Sequence, residues 1–114
     1  YEVHTITVNT GGFDDKEIKE IESRAKNLGV ASHKTVDETR NYYDKVIRYL
    51  IYGNILKNNT YPLSVSAERM SQALAVANYA KALKADAVAH GSTGAGNDAR
   101  HRNYHTNAGA SIIA

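Results

Sequence analysis

The chain has 114 residues, 42% of them hydrophobic and 23% charged, with a formal net charge of +2 and no cysteine. This is one domain's length, with enough apolar side chains to bury a core, and it argues against disorder. The charge is too weak to argue for nucleic acid. The lack of cysteine excludes disulfide scaffolds and thiolate metal sites, and it fits a reducing compartment. No apolar run approaches the roughly 20 residues that span a bilayer.

The opening "YEVHTITVN" alternates, with Val3, Thr5 and Thr7 on one face and His4, Ile6 and Val8 on the other, and reads as a strand ended by Gly11 and Gly12. No secretory signal precedes it, and a first residue of Tyr rather than Met suggests that sequence has been removed upstream. In "FDDKEIKEIESRAKNLG" the residues Ile18, Ile21, Ala25 and Leu28 recur at helical spacing. Asp14 or Asp15 is placed to cap this helix and Gly29 to stop it. "VASHKTV" reads as a second strand. A second helix is expected from Asp37 to about Lys57, with Tyr43, Val46, Ile47, Leu50 and Ile51 as its apolar stripe and Gly53 placed to bend or end it early. "NNTYPLSVS" reads as a loop, because Pro62 disfavours a helical Tyr61. A third helix is expected from about Ser66 to Lys84, burying Met70, Ala73, Leu74, Ala77 and Leu83. "DAVAH" then reads as a buried strand.

This order predicts an α/β fold, a parallel sheet with flanking helices. Ligands of such sheets gather beyond the carboxyl ends of the strands. Both glycine clusters, Gly11–Gly12 and Gly91/Gly94/Gly96, follow strand ends, and right-handed crossovers would bring them to one rim. The loop "HGSTGAGND" is neither a dinucleotide fingerprint nor a Walker A loop. Its glycines permit close approach of a ligand to backbone N–H groups. Thr93, Asn97 and Asp98 add a hydroxyl, an amide and an acceptor suited to an ammonium group. A plain connection is the alternative. Ser66 is placed as an N-cap, with Glu68 in the first helical turn. A helix start also receives anions, but capping is the commoner role.

His101 and His105 lie four apart, but no glutamate stands between them and no third ligand is evident, so no metal site is assigned. His4 and His33 read as surface strand residues, and His90 as a residue that orients the loop or packs in the core. The Asn58-Asn59-Thr60 acceptor pattern lacks a secretory context. The eight tyrosines read as helix-face packing.

"TYPLSVSAERMSQALAVANYAKALKADAVAHGSTGAGND" resembles the argininosuccinate synthase family in its bacterial form, and "YEVHTITVNTGGF" resembles that family's second strand and following loop. The resemblance runs from Tyr1 to Asp98. It implies an adenine nucleotide alpha hydrolase-like (ATP-pyrophosphatase) domain lacking its first strand and that strand's S-G-G-L-D-T-S pyrophosphate loop. Residues 1–98 would be a partial nucleotide-binding domain and residues 99–114 a tail that does not match. The implied reaction is the ATP-dependent ligation of citrulline and aspartate in the cytoplasm, a step of arginine biosynthesis and the urea cycle, with magnesium accompanying ATP. By position, Val8 and Gly91 resemble ATP contacts, Thr93, Asn97 and Asp98 aspartate contacts, and Tyr61, Ser66 and Asn97 citrulline contacts. The family's arginine after the aspartate falls at His101, flanked by Arg100 and Arg102, so its role is not carried over. The tail has three open origins: foreign sequence, a sequence error or a divergent end.

The resemblance implies a homo-oligomer, no nucleic acid and no membrane. The missing strand resembles the family's central one, so its slot should be filled by a swapped partner, a dimer contact or the "ASIIA" tail. The isolated chain is expected to be inactive. Two alternatives remain: an amidotransferase synthetase of the same superfamily, against which "YPLSVS" argues, and a non-catalytic nucleotide-binding or oligomerising module.

Overall fold

The computed structural model of the chain describes residues 1–90 and 110–113. Strand β1 (His4–Asn9) is the most deeply set element, with Ile6, Thr7 and Val8 at most 1% exposed. Both of its faces are therefore covered, as in sheets flanked by helices on each side. Asp14 starts helix α1 (Asp15–Asn27) through a capping box. Asp14 accepts from the Glu17 N–H at 2.7 Å, and the Glu17 carboxylate accepts from the Asp14 N–H at 3.0 Å. Gly29, at φ +77, follows the end of α1 in the left-handed conformation that glycine tolerates. Ala25 is buried and Ile18 and Ile21 half-buried, but Leu28 falls on the C-cap and is 80% exposed.

Strand β2 (Ser32–Asp37) runs parallel to β1, pairing His4 with Ser32 through to Asn9 with Asp37. His4 and His33 are half-buried rather than surface residues, because each finds a partner across this pair. His4 Nδ1 hydrogen-bonds Ser32 Oγ at 2.7 Å, and His33 Nδ1 hydrogen-bonds Thr5 Oγ1 at 2.8 Å.

The expected second helix is broken into α2 (Thr39–Tyr42), a π-helical stretch (Tyr43–Ile47) and α3 (Arg48–Tyr52). The wider turn changes the phase of the apolar stripe. Tyr42 is buried in place of Tyr43, Val46, Ile47 and Leu50 are half-buried, and Ile51 is 63% exposed. The helix stops before Gly53, and the residues expected to continue it or form a loop make a hairpin. Its strands are β3 (Leu56–Lys57) and β4 (Tyr61–Pro62), and Asn58 and Asn59 between them both stand at φ +56. Asparagine is among the few residues that adopt this conformation readily.

Helix α4 (Ser64–Leu83) begins two residues earlier than expected. Leu63 occupies the N-cap without a side-chain bond, so Ser66 lies within the first turn and is not the cap. Glu68 falls beyond that turn. The buried face is also rotated from the expected one: Ala73, Ala75 and Val76 are buried, whereas Met70 is 51%, Leu74 60% and Leu83 38% exposed, and Ala77 is exposed. The reason is the position of β1. Ile6 and Val8 form the core with Ala75 and Val76, and Tyr79, Ala80, Val36, Ala85 and Val88 pack around them.

Strand β5 (Val88–His90) is half-buried at Val88 but exposed at Ala89 and His90, so it is not the buried strand expected. Strand β6 (Ala110–Ile113) lies between β1 and β5 and is antiparallel to both, giving the order β2-β1-β6-β5. Of the three expected fillers of the central slot, the tail strand occupies it. Since β1 and β5 both oppose β6, they are parallel to each other and end on the same rim. The sheet retains the expected parallel frame of β2, β1 and β5, with one antiparallel strand set into it.

Two outcomes test this arrangement. Ile112 stands opposite Thr5 on one side and Ala89 on the other. Ile112→Pro removes a ladder donor and forces the ring into the sheet centre. It should cost about 3 kcal/mol in urea unfolding, enough to broaden or abolish a cooperative transition; an unchanged midpoint would remove β6 from the sheet.

His33 has a pKa below its ordinary 6.5, chiefly because burial penalises its charged form. The Glu22 carboxylate opposes this shift and Lys26 adds to it. The unfolded chain therefore takes up the proton first, and the stabilising contribution is complete above about pH 6.5 and lost as pH falls through the lower, folded value. Unfolding midpoints measured between pH 7.5 and 5 should fall for the parent chain, and His33→Gln should flatten that slope.

Candidate functional site

β1, β5 and the start of α4 converge on the rim where the parallel strands end. Val8 is the penultimate residue of β1, and its side chain belongs wholly to the core at 1% exposure. Its main chain faces elsewhere. Val3 O accepts from Ala31 N, and Asn9 O accepts from Glu38 N, each at 2.8 Å, so the odd residues of β1 turn their polar groups towards β2. Alternation along a strand then directs the N–H and C=O of Val8 to the opposite edge. On that edge β1 faces β6, with Thr7 opposite Ala110.

Beyond β1 the turn is shaped by Asn9, which is 8% exposed. Its Oδ1 accepts from Gly11 N at 2.9 Å and from Phe13 N at 3.4 Å, and its Nδ2 donates to Phe13 O at 3.4 Å. Gly11 stands at φ +111, a conformation that disfavours a side chain there. Thr10 Oγ1 donates to Glu68 Oε1 at 2.5 Å, which ties this turn to α4, and Gln72 Nε2 approaches the same oxygen at 3.4 Å. Tyr42 OH donates to Ser64 O at 2.5 Å and so holds the first residue of α4. Burial, and secondarily the charge of Glu68, raise the Tyr42 hydroxyl above its ordinary pKa, so Tyr42 stays a neutral donor.

Of the residues singled out from sequence, Val8 stands on this rim and Ser66 is exposed in the first turn of the helix tied to it. The backbone of Tyr61 lies in β4 opposite Lys57, while its ring lies outside the described residues. Gly91, Thr93, Asn97 and Asp98 lie outside the described residues, as do His101 and His105. β5 ends at His90, level with Ile6 across β6. Asn9, Thr10 and Tyr42 are not singled out by the sequence, and Glu68 is singled out there only as a first-turn acid of the helix. "NTGG" reads there only as a strand breaker, and nothing in it announces a partner on a distant helix.

Clefts lined by described residues border α4. One of about 400 Å³ is lined by Ile47, Leu50, Ile51, Ile55, Leu56 and Ser64, among others. The other, of about 370 Å³, runs between Lys45, Val46 and the exposed Met70 and Leu74. Among the described residues no group of three metal-ligating side chains gathers, and no helix is long and apolar enough to cross a membrane.

Residues 1–111 match the family described as the arginosuccinate synthase N-terminal HUP domain. Among curated proteins, the chain is 46% identical over 98 residues to an argininosuccinate synthase of Xylella fastidiosa, a match covering 86% of this chain and 24% of that protein. It is 41% identical over 98 residues to one of Hyperthermus butylicus, covering 86% and 24%. It is 43% identical over 97 residues to one of Saccharolobus solfataricus, covering 85% and 24%. No solved structure matches. The chain thus spans about a quarter of the length of these relatives. It belongs to the argininosuccinate synthase family, within that family's N-terminal HUP domain.

Proposed function

We propose that this domain serves an argininosuccinate synthase, binding ATP at the carboxyl end of β1 as part of the ligation of citrulline to aspartate. The relatives' name supports the reaction. The observation that supports the nucleotide position is the place of Val8, which stands with its side chain in the core at the carboxyl end of β1, the rim where ligands of parallel sheets gather. Val8 would meet adenine through its backbone, and Gly91 would let the chain approach the nucleotide. Thr93, Asn97 and Asp98 would hold aspartate, with Asp98 facing its ammonium group. Tyr61, Ser66 and Asn97 would hold citrulline.

In this reaction the ureido oxygen of citrulline attacks the α-phosphorus of ATP, forming a P–O bond as pyrophosphate leaves. The aspartate amine then attacks the ureido carbon, and AMP departs with that oxygen. Magnesium would accompany the triphosphate. The domain's share of the work is to hold reactants in line and keep water from the developing charge. The whole protein would act in the cytoplasm in arginine biosynthesis, as a homo-oligomer.

Calorimetric titration of the 114-residue chain with ATP, aspartate and citrulline in turn tests this reading. ATP and aspartate should each bind, and Asp98→Ala should weaken aspartate at least about tenfold while sparing ATP, as expected for loss of a charge-assisted hydrogen bond. Pyrophosphate release should be undetectable from this chain alone. ATP binding without aspartate binding would favour a non-catalytic nucleotide-binding module, and binding of neither would defeat the proposal.

A further inference from the structure

Two elements meet at the rim: the turn after β1 and the start of α4. Different residues govern the turn's internal shape and its placement. Asn9 fixes the shape, since its side-chain bonds go to Gly11 and Phe13 within the turn. Placement against α4 falls to a contact between residues 58 positions apart, the bond of 2.5 Å from the Thr10 hydroxyl to Glu68. Both residues are half-buried, where solvent competes less for the bond. Gln72, one turn along α4, donates to the same carboxylate oxygen at 3.4 Å. Glu68 lies two residues beyond Ser66 on the same helix, so any shift of Glu68 relative to Thr10 moves Ser66 relative to the end of β1.

We propose that Glu68 is a positioning residue. Through Thr10 it sets the distance between the nucleotide-facing edge of β1 and the helix that carries Ser66. This rests on the proposed function for what binds at that edge, but the latch itself is a property of this chain. A carboxylate suits the task. It accepts from Thr10 and Gln72 at once, and its charge makes each bond stronger than a neutral acceptor would. A neutral amide at position 68 still offers an oxygen to Thr10, whereas alanine offers none.

The experiment uses the 114-residue chain with Thr10→Val, Glu68→Ala, the double variant, and the conservative Thr10→Ser and Glu68→Gln. An undocked turn would open its Asn9 bonds more often, so amide hydrogen exchange at Gly11 and Phe13 reads the latch indirectly, and calorimetric affinity for magnesium-ATP reads its consequence. Thr10→Val and Glu68→Ala should each speed exchange at these two amides about tenfold and weaken ATP about fivefold, on the scale of one charge-assisted hydrogen bond. The double variant should do no more than either single change, because both remove the same bond. Thr10→Ser should stay within about twofold of the parent in both readouts, Glu68→Gln should fall between the parent and Glu68→Ala, and amides of α1 and β2 should not change in any variant. A general loss of packing would instead raise exchange in α1 and β2 as well. Additive effects, or unchanged exchange in Glu68→Ala, overturn the latch. An unchanged ATP affinity in Glu68→Ala overturns the positioning role while leaving the functional reading intact. If the parent chain binds no ATP, the functional reading fails together with the positioning role built on it, and exchange alone then shows whether the latch exists.

Discussion

Everything in this fold depends on two parallel strands, β1 and β5, being held one strand apart. β1 carries the core through Ile6 and Val8, while β5 adds Val88 at its margin. A bare edge of β1 would leave a row of backbone donors and acceptors beside the most buried residues of the molecule, where unpaired polar groups are costly. β6 meets that demand by pairing His4 through Thr7 on one side and Val88 through His90 on the other. Its direction is opposite to both neighbours, so it reaches them with the alternating bond spacing of antiparallel ladders inside an otherwise parallel frame. Ile113 lies level with His4 at the amino end of β1, and Ala110 lies level with Thr7.

Much of this frame was legible in the sequence, and the reasons are local. The alternation of "HTITVN" and a capping aspartate, Asp14 or Asp15, are encoded within a few residues, and both elements form where expected, with Asp14 as the cap. The slot in the sheet was legible too, because the motif resemblance implied a strand at its centre. Where the structure differs, either the helix geometry or a distant contact decides. Tyr43 and Ile51 continue a regular α-helical stripe only if the turns stay regular, and the π-helical stretch changes their phase. Met70 and Leu74 look like the natural core residues of α4, yet the face that meets β1 is the one bearing Ala73 and Val76. Small residues win there because a helix must lie close against a strand already filled by Ile6 and Val8. The larger Met70 and Leu74 line a cleft at the surface instead.

The site divides along the same line. A buried Val8 at a strand end follows from the pattern of the first strand. The link from Thr10 to Glu68 spans 58 positions, and a threonine before two glycines carries no mark of it. The same holds for Tyr42, one of eight tyrosines, whose hydroxyl reaches the carbonyl of Ser64. Polar contacts of this kind depend on how the helices settle on the sheet. They become visible only after the apolar packing has chosen the face of α4.

On the proposed function, Val8 would let packing and recognition share one residue without conflict. Its side chain lies with Val76 in the core, which demands an apolar, β-branched shape and leaves no freedom for a ligand-specific group. Its main chain is common to every residue type and offers the same donor and acceptor whatever side chain the core selects. A rim built in this way would read a ligand by the path of the backbone, so the accuracy of the proposed site would be the accuracy with which the strand end and the helix beside it are held. That places the demand on Asn9, which shapes the turn, and on Thr10 and Glu68, which dock it. The polar residues of greatest consequence at this rim are therefore those that bond to the protein itself.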